Sequence, residues 1–524
     1  MMFWSGTRYS PLSAGAASGT DACTTSQIIH VVHHIQRQFM RRRIIVGTSI
    51  LLVALLVIFC LPSQTKRPLF IPSEALWTPR LNGFEVPDAP LRLVIPATTS
   101  NANLCKTLLT SSILNFTAPV LVNWGQEVHN PDGWRKNGTH IAKITGILAY
   151  LDTLKQESDH EIVLIVDGFD TWFQFGPEVI KRRYSDITKR LHARTKAMMG
   201  ERAFEAEGIT ESIVFSAQKN CGPMMRLNDI GCYGQIESPL ARDLYGPNTD
   251  ILDPKLHLPL HFRSHFLCSG IIMGTVLDMR RMFIRATEKI YTMPHGGSDQ
   301  AIFNQIYGEQ NYQREVMRLK YRTLWERFRD GFLRALGRHQ HSITDPHPNR
   351  KRVENLDGVP VDFGIGLDFG LEISHSTVLS EWDGRWLTMA NVEDAHDQQK
   401  ETGQRVKQVP HDVLEGPLPF TGLPDRIGKG HGKTTSRWDE LSLYSHLYTG
   451  SMPAIIHMNG FKSMRVSSWD KMWYYKERRR MLNAMTRDVG AWTASGEWLS
   501  WGTVCKGTEE EVFGDSLGPW EPPK

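Results

Sequence analysis

The sequence lacks several features that mark common functional classes. Its net charge is only +4 over 524 residues, and it contains no RNP, zinc-finger or basic-helix pattern, which argues against a nucleic-acid partner. Neither Cys-x-x-Cys nor His-Glu-x-x-His spacing is present, so nothing points to zinc. The glycines are too scattered for a dinucleotide-binding fingerprint, and no internal repeat is evident. What remains is a chain with 41% hydrophobic residues, enough for a large folded domain.

One long apolar segment stands near the N-terminus. Residues 44–61 read IIVGTSILLVALLVIFCL without a charge, and a helix of this length spans about 27 Å, close to the thickness of a thin bilayer. The alternative is a cleaved signal peptide, but no small-x-small cleavage site follows the segment. We therefore predict a single transmembrane helix, preceded by a cytosolic tail (1–43) and followed by a stem (62–88).

The charges around this segment predict its orientation. Arg37, Arg41, Arg42 and Arg43 precede it, whereas only two basic residues follow it closely. Because basic residues concentrate on the cytosolic side of a span, we expect a type II membrane protein whose later residues are luminal. The shortness of the span favours the Golgi or ER membrane over the thicker plasma membrane.

A luminal location would permit disulfides and N-glycans. Of the seven cysteines, five would be luminal, and this odd number leaves at least one that is free or paired with another chain. Cys221 and Cys232 form the preferred pair, because they flank a short polar loop in an oxidising compartment. Asn115 and Asn137 each begin an Asn-x-Thr sequence that can accept a glycan.

After the stem, the apolar pattern alternates between strands and helices. Continuous β-branched runs such as LRLVI (91–95) and IVLIV (162–166) are separated by helical patterns, among them a basic one at 177–199. This alternation predicts an α/β domain with a mainly parallel sheet that is covered by helices on both faces. We place the domain at residues 89–475 and expect a C-terminal helix and tail at 476–524.

Two segments interrupt this pattern. Residues 314–337 carry an apolar stripe interleaved with arginines, which predicts an amphipathic helix. Such a helix either packs on the core and leaves its basic face in solvent, or rests on anionic lipid headgroups. Residues 391–436 are polar and punctuated by Gly and Pro, so we expect a long loop there.

Two carboxylates follow the most apolar strand. In EIVLIVDGFDTWFQF (161–175), the strand runs directly into Asp167 and Asp170. Ligands of open parallel sheets bind beyond the carboxyl ends of the strands, and converging carboxylates repel each other unless a cation neutralises them. Hard oxygen ligands suit Mg²⁺ or Mn²⁺. On these residues alone, the alternative that Asp167 caps a turn and Asp170 begins a helix fits equally well.

A histidine near the C-terminus can complete such a site. The segment PAIIHMNGFKS (453–463) reads as a short strand that ends in His457 and continues into Asn459, Gly460 and Lys462. The histidine can supply a third metal ligand, and the lysine can supply a cation for a phosphate. A lone histidine in this position is otherwise a core or turn residue.

Five segments in the same order resemble one family. The segment IVLIVDGFDTWFQ resembles the strand and Asp-x-x-Asp metal motif of the glycosyltransferase domain of procollagen lysyl hydroxylases and of related fungal type II membrane glycosyltransferases, which have the GT-A fold. FSAQKNC, FLCSGIIMG, GSDQAIFNQIY and HMNG resemble further motifs of these proteins. Each motif is short, but their shared order argues against coincidence. The resemblance covers about residues 90–307 and 360–475.

The resemblance implies a metal-dependent hexosyltransferase. Its substrates would be a nucleotide-sugar, most simply UDP-linked, and a luminal glycoprotein or glycan. Asp167, Asp170 and His457 would hold Mn²⁺ or Mg²⁺. Asp299 either caps a helix or recognises the sugar hydroxyls or the acceptor, and it is the candidate catalytic base. The residues implied in donor or nucleotide binding are Lys143, Ser269, Gly270, Gln300, Asn459, Gly460 and Lys462.

Three positions depart from the family pattern. Gln218, Gly222 and Cys268 stand where the family commonly has an acidic residue, a tryptophan and an asparagine. They leave open a non-catalytic relative that binds a glycan or a partner enzyme, and a metal-dependent hydrolase is a weaker alternative. No His-x-Asp motif with a distal histidine is present, so iron and 2-oxoglutarate are not expected.

Overall fold

The N-terminal part of the chain and several internal segments lie outside the described structure. A computed structural model describes residues 89–129, 138–222, 225–293, 298–336, 342–351, 353, 361–403, 408–421, 423 and 437–522. The predicted tail, transmembrane helix and stem therefore lie outside the described residues, as does Asn137. Within the described ranges, no helix is both long enough and apolar enough to cross a membrane.

Strands and helices are interspersed along the described chain, as expected for an α/β domain. The strands are β1 (Leu91–Pro96), β2 (Val120–Val122), β3 (Ile162–Val166), β4 (Thr171–Phe173), β5 (Ile213–Gln218), β6 (Phe266–Thr275), β7 (Ile365–Asp368), β8 (Ser374–Ser376), β9 (Gly384–Thr388), β10 (Ser442–His446), β11 (Ile455–His457), β12 (Gly490–Thr493) and β13 (Trp498–Ser500). The α-helices are α1 (Ala102–Ile113), α2 (Gly138–Thr153), α3 (Pro177–Met199), α4 (Glu201–Ala206), α5 (Ile230–Tyr233), α6 (Val276–Thr292), α7 (Asp299–Lys320), α8 (Leu324–Ala335), α9 (Val392–Thr402), α10 (His411–Leu414), α11 (Lys462–Trp469), α12 (Arg478–Asn483), α13 (Trp501–Cys505) and α14 (Glu509–Phe513). Short 3₁₀ helices lie at Gln156–Ser158, Gly246–Asn248 and Trp438–Glu440.

The main sheet has eight strands and is mostly parallel. Its order is β13-β12-β2-β1-β3-β6-β5-β7. The pairs β12–β2, β2–β1, β1–β3 and β5–β7 are parallel, whereas β6 is antiparallel to both β3 and β5. An antiparallel strand begins at the edge where its neighbour ends. The first half of β6 therefore lies beside the carboxyl end of β3, and the Asp167 N–H donates to the Gly270 carbonyl over 2.9 Å.

Buried apolar strands form the centre of this sheet. Every residue of β3 and β5 is buried, as expected for strands covered on both faces. Helix α2 packs against α6, and α3 packs against β5 and β7. Helix α3 begins with Pro177, which is favourable in the first turn, and ends at Gly200, whose φ is +82°.

A smaller sheet brings the C-terminal histidine segment to the main sheet. Strand β11 lies between β4, with which it is antiparallel, and β8, with which it is parallel. In this register His457 is opposite Thr171 and Ser376. The end of β11 is thus fixed next to the turn that follows β3. Strands β9 and β10 form a separate antiparallel pair.

The two segments predicted as insertions differ from their predicted form. The single amphipathic helix predicted for 314–337 is interrupted, because Thr323 and Glu326 form a capping box that starts α8 anew after α7 has ended at Lys320. The predicted loop 391–436 contains helices α9 and α10 in its described part. Asn391 caps α9 by accepting from the Glu393 N–H, a local signal that outweighs the polar composition.

The C-terminal segment is more than the predicted helix and tail. After α12, the described chain forms β12 and β13, and β12 extends the main sheet by pairing in parallel with β2. These strands have only four and three residues, too few for an alternating apolar pattern to stand out. The folded domain therefore extends well beyond the predicted boundary at 475.

Two disulfides indicate a luminal, secretory-pathway domain. Cys221 pairs with Cys232, the pair favoured by the sequence, and Cys105 pairs with Cys505. Cys268 is buried and is the free cysteine of the described chain. The candidate glycosylation residue Asn115 is exposed just beyond α1, with a φ of +64°.

Candidate functional site

The three predicted metal ligands lie together. One ligand atom each from Asp167, Asp170 and His457 is within 4.8 Å of the other two. His457 Nε2 is 3.6 Å from Asp167 Oδ2 and 3.3 Å from Asp170 Oδ1. The cluster is at the carboxyl end of β3, the edge where ligands bind in open α/β sheets.

Backbone pairing holds the three residues in place. Asp167 directly follows β3 and is hydrogen-bonded to β6, as described above. Asp170 directly precedes β4, and its carbonyl accepts from the Met458 N–H over 2.7 Å. Asp170 therefore precedes a strand and not the helix of the alternative interpretation. Because β11 pairs with β4, the position of His457 is fixed by the same hydrogen bonds.

Two atoms of the cluster are buried without hydrogen-bond partners in the described chain. They are Asp170 Oδ1 and His457 Nε2, which face each other across the cluster. Buried polar atoms rarely lack a partner, and exceptions often mark a site for an ion or water. A cation that accepted a lone pair from each would satisfy both atoms. Two carboxylates and one imidazole form a donor set that fits Mn²⁺.

Electrostatics in the cluster show how its charge is balanced. Burial disfavours charge on His457, but Asp170 outweighs this effect and raises the pKa of His457 well above its ordinary value. Burial also opposes ionisation of Asp170, whereas His457 and Arg465 lower the pKa of this carboxyl below its usual value. For Asp167 burial dominates and raises the pKa. A bound metal would replace the imidazole proton as the neutralising charge.

Gly270 allows the His457 ring to lie directly against β6. A Cβ atom at position 270 would be 2.0 Å from Cε1 and 2.6 Å from Nδ1 of His457. No real Cβ atom approaches a ring so closely, so any side chain here would displace the imidazole. Cys268 lies on β6 together with Gly270, and its Sγ is 3.8 Å from His457 Nδ1.

Lys143 is the central cation of the site. Its buried Nζ is 2.7 Å from Asp167 Oδ1, 3.2 Å from Asp299 Oδ2 and 2.8 Å from the Ser269 carbonyl. Burial alone would lower the pKa of Lys143, but the two carboxylates raise it above its usual value. Lys143 therefore stays charged and links the metal cluster to the start of α7.

Asp299 is buried at the start of α7 and is fully engaged. Ser298, and not Asp299, caps the helix by accepting from the Ala301 N–H. The Asp299 carboxylate accepts from Ser269 Oγ over 2.9 Å, and Lys143 and His140 Nδ1 lie 3.2 and 3.7 Å away. Burial opposes its ionisation, but Lys143 and His140 hold the pKa of Asp299 well below its usual value. Such a carboxylate is a weak base, so this geometry favours positioning over proton abstraction.

Asn459 and Gly460, which follow β11, form hydrogen bonds with the end of β8 and the residues after it. The Asn459 amide donates to Ser376 Oγ over 2.9 Å and accepts from the Val378 N–H over 3.0 Å. The Gly460 N–H donates to Thr377 Oγ1 over 3.0 Å. These contacts hold the turn after His457 against the end of β8 and the segment that follows it.

Arg465 is the basic residue of α11 that reaches the cluster. It donates to Asp170 Oδ2 over 3.0 Å and to the Met458 carbonyl over 2.9 Å. Lys462, the residue predicted to contact phosphate, is exposed at the first position of α11 and has no ion pair within the described structure. Arg465 was not predicted from the sequence, although its spacing of three from Lys462 places both residues on one side of a helix.

Gln300 and Gly222 are matched to each other. A Cβ atom at position 222 would be 2.2 Å from Gln300 Nε2, so the absence of a side chain there leaves room for the glutamine. Gln218 has a different contact: its side-chain amide donates to the Asn220 carbonyl over 2.8 Å. Together with Cys268, which contacts His457, all three residues that depart from the resembled pattern have local contacts of their own.

A scan against models of known protein families and a search of curated proteins both found no match to this chain. The geometry of the site is therefore the basis for assigning a function.

Proposed function

We propose that this protein is a metal-dependent glycosyltransferase that transfers a hexose from a nucleotide-sugar, most simply UDP-linked, to a luminal glycoprotein or glycan. The observation that carries the proposal is the convergence of Asp167, Asp170 and His457 at the carboxyl end of β3, where Asp170 Oδ1 and His457 Nε2 are buried without a hydrogen-bond partner in the described chain. The two disulfides agree with a luminal site of action. We further propose a type II membrane protein of the Golgi or ER, anchored by residues 44–61.

Each part of the cluster has a chemical task under this proposal. Asp167, Asp170 and His457 would hold Mn²⁺ or Mg²⁺, which supplies positive charge for the departing diphosphate. Lys143 and Arg465 each hold one of the two carboxylates by a direct contact. This leaves the aspartates oriented before any ligand arrives, which lowers the cost of organising the site. Asp299, held by Lys143 and Ser269, would orient the donor or acceptor.

A second candidate is a non-catalytic protein that keeps the fold and binds a glycan or a partner enzyme. The observation that favours it is the state of Asp299, the predicted base, whose carboxylate is already bound by a lysine and a serine. Only the first candidate requires turnover of a nucleotide-sugar.

The test uses the purified full chain with Mn²⁺ and a panel of UDP- and GDP-sugars. Nucleotide binding is measured by titration calorimetry with and without Mn²⁺, and turnover is measured as release of UDP or GDP. We expect Mn²⁺-dependent binding and slow release of the nucleoside diphosphate even without an acceptor. Binding without turnover would favour the second candidate. Absence of any metal-dependent nucleotide binding would refute the enzyme assignment.

A further inference from the structure

Helix α8 presents an apolar face that the described chain leaves uncovered. None of its residues is buried, and its large apolar side chains Leu324, Trp325, Phe328 and Phe332 are 84%, 53%, 66% and 39% exposed. Their spacing of one, three and four residues places them on one side of the helix. The sequence left two interpretations open for this region. The exposure of these side chains contradicts the one in which the apolar face of α8 packs on the described core.

Local interactions explain why α8 is nevertheless helical. Thr323 accepts from the Glu326 N–H over 3.2 Å, and the Glu326 carboxylate accepts from the Thr323 N–H over 2.8 Å. One turn of the apolar face is ordered by stacking of Trp325 on Phe328, with ring centroids 5.8 Å apart. These local interactions stabilise the helix although no part of the described chain covers its apolar face. The helix therefore presents two aromatic rings to solvent.

Charged residues of α8 lie around this apolar face. Arg327, Arg329 and Arg334 are exposed. Of the acidic residues, Glu326 belongs to the capping box, and Asp330 pairs with Arg322 at 3.0 Å and with Arg329 at 3.5 Å. Arg334 pairs with Asp345 at 3.5 Å, and the side chains of all three arginines still reach solvent. The outer surface of the helix therefore combines large apolar rings with exposed guanidinium groups.

We propose that the apolar face of α8 lies in the headgroup region of a phospholipid membrane. Tryptophan and phenylalanine are favourable at this depth, where their rings reach the boundary between headgroups and acyl chains. Arginine can donate to the phosphate groups of both zwitterionic and anionic lipids. A lipid surface has phosphate groups directly above acyl chains, so it matches exposed arginines that lie beside aromatic rings. A groove on a partner protein would need one surface for the rings and another for the arginines.

The predicted membrane anchor makes this contact geometrically accessible. The predicted stem, residues 62–88, has 27 residues, which span at most about 97 Å when fully extended. A domain of about 430 residues has a radius of gyration of about 22 Å, so the stem is long enough for any face of the domain to reach the bilayer. Tethering also raises the effective concentration of α8 at the membrane. The proposal does not depend on the glycosyltransferase assignment.

The test asks whether lipid touches α8 in the full chain. The protein is reconstituted into phosphatidylcholine nanodiscs that contain a phosphatidylcholine bearing a photoreactive diazirine, and lipid adducts are mapped by mass spectrometry. We expect adducts in residues 324–336 as well as in 44–61. The double variant Trp325→Ser/Phe328→Ser should lower labelling of 329–336 at least tenfold while leaving 44–61 unchanged. The matched control Leu252→Ser/Leu256→Ser changes two other exposed apolar residues and should leave the labelling of α8 unchanged.

Three outcomes would overturn the proposal. The first is labelling of 44–61 without labelling of 324–336. The second is equal labelling of α8 in the wild type and the double variant. The third is an unlabelled α8 whose amides are protected from hydrogen exchange in the same nanodiscs, since this would show that another part of the chain or a second copy covers it. Addition of phosphatidylserine should raise the labelling, because it attracts the arginines.

Discussion

His457 Nε2 lies 3.3 Å from Asp170 Oδ1, and neither atom has a hydrogen-bond partner in the described chain. The two residues meet because β11 pairs with β4, so the hydrogen bonds of a small sheet fix the distance between them. The candidate ligands are therefore placed by backbone and are not dependent on a mobile loop. A site of this kind should bind a cation with little rearrangement.

Asp170→Asn should abolish tight Mn²⁺ binding. The substitution removes a negative ligand at nearly constant volume, and loss of an outer-sphere partner alone commonly costs 10–100-fold in metal affinity, so loss of the ligand itself should exceed about 100-fold. Titration calorimetry with Mn²⁺ measures the effect. Asp243→Asn, at an exposed aspartate outside the cluster, is the matched control. Wild-type affinity in Asp170→Asn would show that this residue is not a ligand.

Gly270→Ala should weaken the metal site without changing any charge. The new methyl group would lie 2.0 Å from His457 Cε1, so the imidazole must move away from its present position. We expect a lower Mn²⁺ affinity with the fold retained, as measured by calorimetry and circular dichroism. Gly331→Ala is the control, since a Cβ atom there meets nothing within 4 Å and alanine is favourable within a helix. Unchanged affinity in Gly270→Ala would contradict the role of the glycine.

Lys143→Met should destabilise the fold by about 3–5 kcal/mol, because it leaves Asp299 buried without its cation. Urea unfolding followed by tryptophan fluorescence measures the loss. The exposed control Lys155→Met should change stability by less than about 0.5 kcal/mol. Adding Asp299→Asn to Lys143→Met should restore part of the stability. If the double variant is no more stable than Lys143→Met, the proposed pairing is not the cause.

A second buried ion pair, away from the metal cluster, predicts the pH dependence of stability. Lys219 Nζ is 2.5 Å from Asp383 Oδ2, and the Tyr245 hydroxyl donates to the same oxygen over 2.9 Å. Burial opposes ionisation of Asp383, but Lys219 and His446 hold its pKa well below the usual value. A carboxyl with a lowered pKa stabilises the fold above its unfolded pKa, near 4, and this contribution is lost as the pH falls further.

Asp383→Asn should therefore destabilise the protein by about 3–5 kcal/mol at pH 7. The difference from wild type should be the same at pH 5 and shrink below about pH 4, where the unfolded carboxyl becomes protonated. Urea unfolding at pH 7, 5 and 3 measures this dependence, with Asp243→Asn as the control. A difference that stays constant down to pH 3 would mean that Asp383 does not act through its charge.

The sequence predicted the strands and helices of the sheet centre closely, because their signals are local. Strand β3 coincides with the run IVLIV, and α3 coincides with the basic pattern that starts at Pro177. The orientation of β6 was not predictable, since FLCSGIIMG has the same apolar run whichever way the strand is directed. Yet this orientation is what places Ser269 and Gly270 beside Asp167.

The positions of the three candidate metal ligands were predictable from the sequence, whereas the contacts around them were not. Asp167, Asp170 and His457 directly adjoin or end apolar runs, so their placement at strand ends could be read from the pattern. Lys143 and Arg465 lie on helices, and their reach to the carboxylates depends on how those helices pack against the sheet. Such packing leaves no mark in the local sequence.

The Cys105–Cys505 disulfide closes a loop with a sequence separation of 400 residues. A proteolytic cut in any surface loop between them leaves the two pieces covalently joined, so a nicked molecule keeps its full mass until it is reduced. A cut between α9 and β10, for example, would leave Asp170 on one piece and His457 on the other. Both pieces would still be held by the β4–β11 pairing and by the covalent bond, so the two halves of the site could outlast cleavage of the chain that connects them.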